Sequence, residues 1–186
     1  MRLKKLEISG FKSFAHKTVL EFPSAVSAIV GPNGSGKSNV VDAVRWVLGE
    51  QSLKNLRSKS GVDLIWSGSA TKSSQGKASI NLHFDNKDGF FPIDFEEVVI
   101  GRKVYRDGSN EYYLNDSQVR LKDISELLAR SKLGLRGHSI VNQGSADEIL
   151  RSGPEERRSI LEESLGLREF QLKKFEAETK LSETAA

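Results

Sequence analysis

The 186 residues, 37% hydrophobic and 28% charged, suffice for one soluble globular domain with its own core, and no apolar run approaches the ~20 residues of a membrane span. There is no cysteine, which excludes disulfides and thiolate metal sites and fits a cytoplasmic protein. The formal net charge of +3 permits contact with nucleic acid without arguing for it, and the basic start MRLKKLEISGFKSF lacks the apolar stretch of a signal peptide.

Leu3, Leu6 and Ile8 mark a first strand, Thr18 to Phe22 a second and Ala25 to Val30 a third. The third is almost wholly apolar, the pattern of a strand buried on both faces. Val40, Val41, Val44, Val47 and Leu48 then recur at helical spacing over Asn39 to Leu48, and Gly49 supplies a stop. Gly68 to Gly76 reads as a loop. Ala78, Ile80, Leu82 and Phe84 alternate with polar residues, predicting a half-buried strand. Val98 to Arg106 and Glu111 to Leu114 flank Asp107-Gly108, a hairpin signal. Ile124, Leu127 and Leu128 mark another helix.

The last third changes character. Ser145 with Glu148 and Ser152 with Glu155 have capping-box spacing. From Pro154 onward the chain is crowded with Glu, Lys and Arg, and about 30 helical residues would extend roughly 45 Å. Leu161, Leu165, Leu172 and Phe175 partly follow a heptad, so this segment reads as the start of a coiled coil. His16, His83 and His138 are too scattered for a metal constellation.

Gly31-Pro32-Asn33-Gly34-Ser35-Gly36-Lys37-Ser38 fits the phosphate-binding pattern G-x-x-x-x-G-K-[ST] at every position. Phosphate oxygens must approach the backbone closely, so glycines remove the obstructing side chains and the loop N–H groups form an anion nest. The following helix adds its positive end. Lys37 can neutralise the β- and γ-phosphates of ATP, and the Ser38 hydroxyl can ligate Mg²⁺. The loop alone does not choose among kinases, GTPases and ATPases.

Further segments do. Gly10-Phe11-Lys12-Ser13-Phe14, the loop extended through Asn39, Leu48-Gly49-Glu50-Gln51-Ser52, Val141-Asn142-Gln143-Gly144 and Glu155 to Leu167 together resemble the SMC (structural maintenance of chromosomes) family, most like its bacterial and archaeal members. The resemblance implies an α/β fold, the N-terminal lobe of an ABC-type P-loop ATPase head. Mixed β-sheets would surround the P-loop helix over residues 1–153, and 154–186 would begin the coiled-coil arm. It implies that each head is completed by the C-terminal lobe of the same protein. Two heads then sandwich ATP, in a homodimer that works with a kleisin-type subunit and DNA, in the nucleoid and at no membrane. Gln143 would hold Mg²⁺ and position the attacking water, its amide both donating and accepting. Arg57 would reach the nucleotide phosphates of its own site. Lys12, Ser13 and the segment Val62 to Trp66 would lie near the base or ribose, with Trp66 either stacking or in the core.

ATP hydrolysis of this type needs an apolar strand ending in Asp-Glu. Ile93-Asp94 follows a proline and continues into Phe95, Asp147-Glu148 follows no apolar run, and Leu150 to Pro154 only echoes an LSGGQ signature. The chain therefore reads as half an active site, and negligible turnover is expected of it alone. Two alternatives stand beside this reading: a coiled-coil ABC-type DNA-repair ATPase, and a self-contained P-loop enzyme such as a small-molecule kinase.

Overall fold

In a computed structural model of the chain, the described residues are 1–131, 133, 140, 153–155, 157–158, 162 and 167–184. They belong to two compact units, Met1–Ser125 and Glu126–Ala186.

The first unit is built on a six-stranded sheet of β1 (Arg2–Ser9), β2 (Thr18–Glu21), β3 (Lys77–Asp85), β4 (Glu97–Tyr105), β5 (Asn110–Leu114) and β6 (Ser117–Val119), in the order β2-β1-β3-β4-β5-β6. Each pairing among the described strands is antiparallel. Alternation along β3 sets the core face: Ala78, Ile80 and Leu82 are fully buried and Phe84 nearly so. Opposite them in register stand Leu6 and Ile8 of β1 and Val98, Ile100 and Val104 of β4. Each such burial contributes about 1.5–3 kcal/mol. The expected hairpin forms where Asp107-Gly108 predicts it. Tyr105 N–H donates to Ser109 O at 3.0 Å, and the Asp107 carboxylate accepts from the Ser109 N–H at 2.8 Å.

Helix α1 (Lys37–Val47) packs against β3 and β4 and buries Val40, Ala43, Trp46 and Val47. Trp46 lies 5.5 Å from Phe11, ring centre to ring centre. The helix ends as the glycine predicts, with Gly49 in the left-handed region and its N–H on Trp46 O.

One expected strand is not there. Residues 25–30 form no ladder, and Val26, Ile29 and Val30 are 87%, 45% and 87% exposed. An apolar run of this kind becomes a buried strand only between two neighbours, and no described strand flanks it. The segment enters the phosphate loop as solvent-facing chain, bent at 25 and 26.

Helix α2 (Leu121–Arg130) runs across the boundary between the units. It buries Ile124, Leu127 and Leu128 as their spacing predicts, and Asp123 accepts the Arg120 N–H at its start. In the second unit, α3 (Arg168–Thr184) spans about 25 Å at 1.5 Å per residue. Phe170, Phe175 and Leu181 on it are 66%, 69% and 73% exposed. The capping residues Ser145, Glu148 and Ser152, and Leu161 and Leu165, lie outside the described residues. Among the described residues no helix is long and apolar enough to cross a membrane.

Candidate functional site

The phosphate loop occupies 31–36 and α1 starts at Lys37, so the lysine and Ser38 sit in the first helical turn. Gly34 and Gly36 have φ of +81° and +91°, a backbone that residues with a Cβ rarely adopt. No side chain caps the helix and no acidic residue stands in its first turn. Asn39 N–H donates to Gly36 O at 2.9 Å, so the Lys37 and Ser38 N–H groups and the positive end of the helix are what the turn offers an anion. Lys37 folds over this loop, its Nζ donating to Gly31 O at 2.6 Å and Pro32 O at 2.7 Å. A Cβ at Gly36 would lie 3.0 Å from Ser13 Oγ, so the turn at residues 10–14 closes on the loop from one side. Asn39 ties the two together, its Nδ2 donating to Ser13 Oγ at 2.8 Å.

That turn depends on Gly10. Its φ is +64°, and a Cβ there would come within 2.3 Å of Lys77 O. The chain then folds back, with Phe14 N–H on Phe11 O, and carries Lys12 and Ser13 at the tip. Lys12 N–H donates to Leu64 O and Trp66 N–H to Gly10 O, both at 2.8 Å. The segment Val62 to Trp66 is thereby brought beside the turn that carries Lys12 and Ser13. Leu64 and Ile65 are buried, while Trp66 is half-buried and donates its ring N–H to Ser73 O.

A buried carboxylate, Asp42, joins this assembly. It is 3% exposed and sits on α1 one turn beyond Ser38. It pairs with Lys12 Nζ and, at 2.6 Å, with Arg57 Nη2. Arg57 thus stands close to the P-loop helix, held by Asp42, with its side chain 53% exposed. The sequence reading missed Asp42. The available signal was an acid on the buried face of α1, next to Ala43 and four residues before Trp46.

A second residue missed is Arg102. It occupies a core position of β4, opposite Ile80 and Tyr112, and is 4% exposed. Its guanidinium lies 4.5 Å from the Trp46 ring and 4.8 Å from the Tyr112 ring. It donates to Trp46 O at 2.7 Å, Glu50 O at 2.9 Å and Asn110 Oδ1 at 3.2 Å. Arg102 therefore satisfies carbonyls at the C-terminal end of α1, where a cation also suits the helix dipole. Burial pulls its pKa down to about 10.

Gln143 lies outside the described residues, as does His138. Among the described residues no group of His, Cys, Asp and Glu could by itself hold a metal ion.

Residues 2–139 match the family model described as the RecF/RecN/SMC N terminal domain. The chain is 51% identical over 182 residues to the chromosome partition protein Smc of Desulfitobacterium hafniense, covering 98% of this chain and 15% of that protein. It is 49% identical over 184 residues to the Smc protein of Bacillus subtilis, covering 99% and 16%. The chain thus spans about a sixth of the length of these relatives. Among solved structures, a Smc head domain from Pyrococcus furiosus, with an extended coiled coil and bound to the C-terminal domain of ScpA, superposes with a TM-score of 0.84. It is 39% identical, with 98% of this chain and 46% of that chain covered. A Smc head bound to the C-winged helix domain of ScpA gives a TM-score of 0.83 at 40% identity, covering 87% and 50%.

Proposed function

The chain belongs to the SMC family, within the RecF/RecN/SMC N terminal domain group, and from that premise we propose that it is the ATP-binding N-terminal half of an SMC head. In the completed protein this head works in chromosome segregation and condensation by ATP-dependent head engagement. The single observation that carries the nucleotide reading is the uncapped start of α1 behind a loop with two left-handed glycines, with Lys37 in the first turn.

The residues present fit ATP and Mg²⁺. The amides of Gly31, Pro32–Gly36 and the first turn, excepting the proline nitrogen, would cradle the phosphates. Lys37 would exchange the carbonyls of Gly31 and Pro32 for phosphate oxygens, a gain because the new partner is charged. The Ser38 hydroxyl and the Gln143 amide would hold the metal, which supplies positive charge against the β- and γ-phosphates. Gln143 would also orient the attacking water, and Arg57 would offer its fixed charge to the phosphates. Lys12, Ser13 and the 62–66 segment would face the base or ribose, with Asn39 steadying Ser13.

Residues 1–153 form the lobe on this reading and 154–186 begin the coiled-coil arm, in keeping with the exposed apolar side chains of α3. The partners are the C-terminal lobe of the same protein, a second head, a kleisin-type subunit and DNA, and the site of action is the nucleoid in the cytoplasm. The bare apolar segment at 25–30 supports the first of these: a lobe that supplied flanking strands would bury Val26, Ile29 and Val30 and put the phosphate loop on a rigid base.

Steady-state phosphate release tests the proposal. The chain alone should show negligible turnover. Adding the C-terminal lobe should restore it, and activity per head should then rise with head concentration, because two heads must meet. Robust turnover by the lone chain, abolished by Lys37→Ala, would instead establish a self-contained enzyme.

A further inference from the structure

Two cations share one buried oxygen beside the phosphate loop. Asp42 Oδ2 accepts from Lys12 Nζ and from Arg57 Nη2, and the Asp42 side chain is 4% exposed. Lys12 Nζ also donates to Leu56 O, the residue before Arg57. Lys12 and Arg57 both have left-handed backbones, φ +46° and +51°, which residues bearing a Cβ rarely adopt. The chain at two separate turns is thus bent to bring these side chains to one carboxylate.

The cluster is not neutral. One carboxylate faces two fixed positive charges, so it retains one excess positive charge. Arg57 spends one of its five N–H donors on Asp42 and, being 53% exposed, keeps others open. Asp42 follows Ser38 by four residues and so shares its face of α1, about one turn, roughly 6 Å, along the axis. That is within reach of an arginine side chain.

We propose that Asp42 is a positioning residue for Arg57, holding the guanidinium one helical turn from Ser38 with Lys12 as the second cation, so that Arg57 is fixed in place without losing its charge. An exposed arginine on a loop would otherwise distribute over many rotamers, and a displacement of about 1 Å at a reacting group can cost about a hundredfold in rate. The proposal rests on the reading of Arg57 as a residue that serves the nucleotide phosphates.

The test is a double-mutant cycle on ATP turnover by the full-length protein, with and without DNA. Asp42→Asn keeps the shape and removes the charge. It should lower kcat about tenfold while KM for ATP stays within about twofold. Arg57→Ala should lower kcat at least as much, and the double variant should be no slower than Arg57→Ala alone, because the two residues act as one unit. If the losses multiply instead, or if Asp42→Asn lowers only the melting temperature, Asp42 is a structural staple and the proposal fails. If Asp42→Asn does not fold, Arg57→Lys decides: positioning of a planar fork requires the lysine variant to lose most of the turnover, and full activity would overturn it. Unchanged turnover in Arg57→Ala would show that Arg57 does not serve the phosphates, and the proposal would fall with that reading. A loss in Arg57→Ala with full activity in Asp42→Asn would remove Asp42 alone.

Discussion

Replacing Arg102 by methionine removes the only charge in the row of core residues along β4 while filling much of its volume. The native side chain makes three hydrogen bonds, at 2.7, 2.9 and 3.2 Å, and lies against the Trp46 and Tyr112 rings. Hydrogen bonds from a charged donor contribute about 1.5–3 kcal/mol each, and each ring contact about 1 kcal/mol. Two effects work the other way. Burial lowers the guanidinium pKa well below its ordinary value, to about 10, a desolvation cost on the order of 3 kcal/mol that methionine relieves. In addition, the Trp46 carbonyl keeps the Gly49 N–H at 3.1 Å and so is not stranded by the change. The balance predicts a loss of about 3 kcal/mol. Urea unfolding of the head should show it as a lower midpoint with an unchanged m-value. Lys103→Met, one residue along β4 and on the other face, gives up one ring contact, with Tyr113 at 4.0 Å, and should cost no more than about 1 kcal/mol. If Arg102→Met matched the parent to within that margin, the claim that Arg102 anchors the end of the P-loop helix would be refuted.

Lys37→Ala should weaken ATP binding to the completed head by about 2 kcal/mol or more, about thirtyfold in Kd, measured calorimetrically at matched salt; equal affinities would remove Lys37 from the phosphate site. Acid stability should depend on Glu7, whose side chain is 16% exposed. Burial alone would raise its pKa, but hydrogen bonds and charge from Lys5 at 2.9 Å and Lys17 at 3.1 Å outweigh that and lower it to about 2. A carboxyl held below its unfolded value stabilises the fold above about pH 4.5, and the contribution fades as pH falls toward 2. Glu7→Gln should therefore flatten the stability curve between those limits and cost on the order of 2 kcal/mol at neutral pH, read by denaturant titration across the range. An identical acid limb in the two proteins would show that the lysines do not stabilise the charge.

Local pattern was enough for β1 to β5 and for the helix that follows the phosphate loop, though not for β6 or for the order of the strands. The alternation along β3 and the turn residues Asp107-Gly108 each encode their element within a few residues. The eight-residue loop motif was legible for the same reason, since its glycines are demanded by backbone geometry at their own positions. What the sequence did not disclose depends on distant neighbours. Residues 25–30 have the composition of a buried strand, but whether they become one depends on what flanks them. Asp42 and Arg102 each look like one charge among many. Only the meeting of Asp42 with Lys12 and Arg57, or of Arg102 with Trp46 and Tyr112, shows why a charge stands in the interior. The pairing of the turn at Lys12 with the 62–66 segment was likewise not legible, because nothing local in either segment points to the other.

The bare segment before the phosphate loop also has a consequence for synthesis. The chain spans 15% of one relative's length, so on the proposed half-head reading about a thousand residues would emerge after it, and at roughly 5–20 residues per second the wait for a completing lobe would last about one to three minutes. Ala25-Val26-Ser27-Ala28-Ile29-Val30 is uncharged, proline-free and rich in β-branched residues, the kind of stretch that stacks with identical copies while it stays bare. Pro23 stands two residues before it, and Gly31-Pro32 follows it directly. Neither proline can donate to a growing ladder, so both limit intermolecular stacking. Pro32, the second residue of the phosphate loop, would thus also limit self-association of this lobe for as long as its apolar segment is bare.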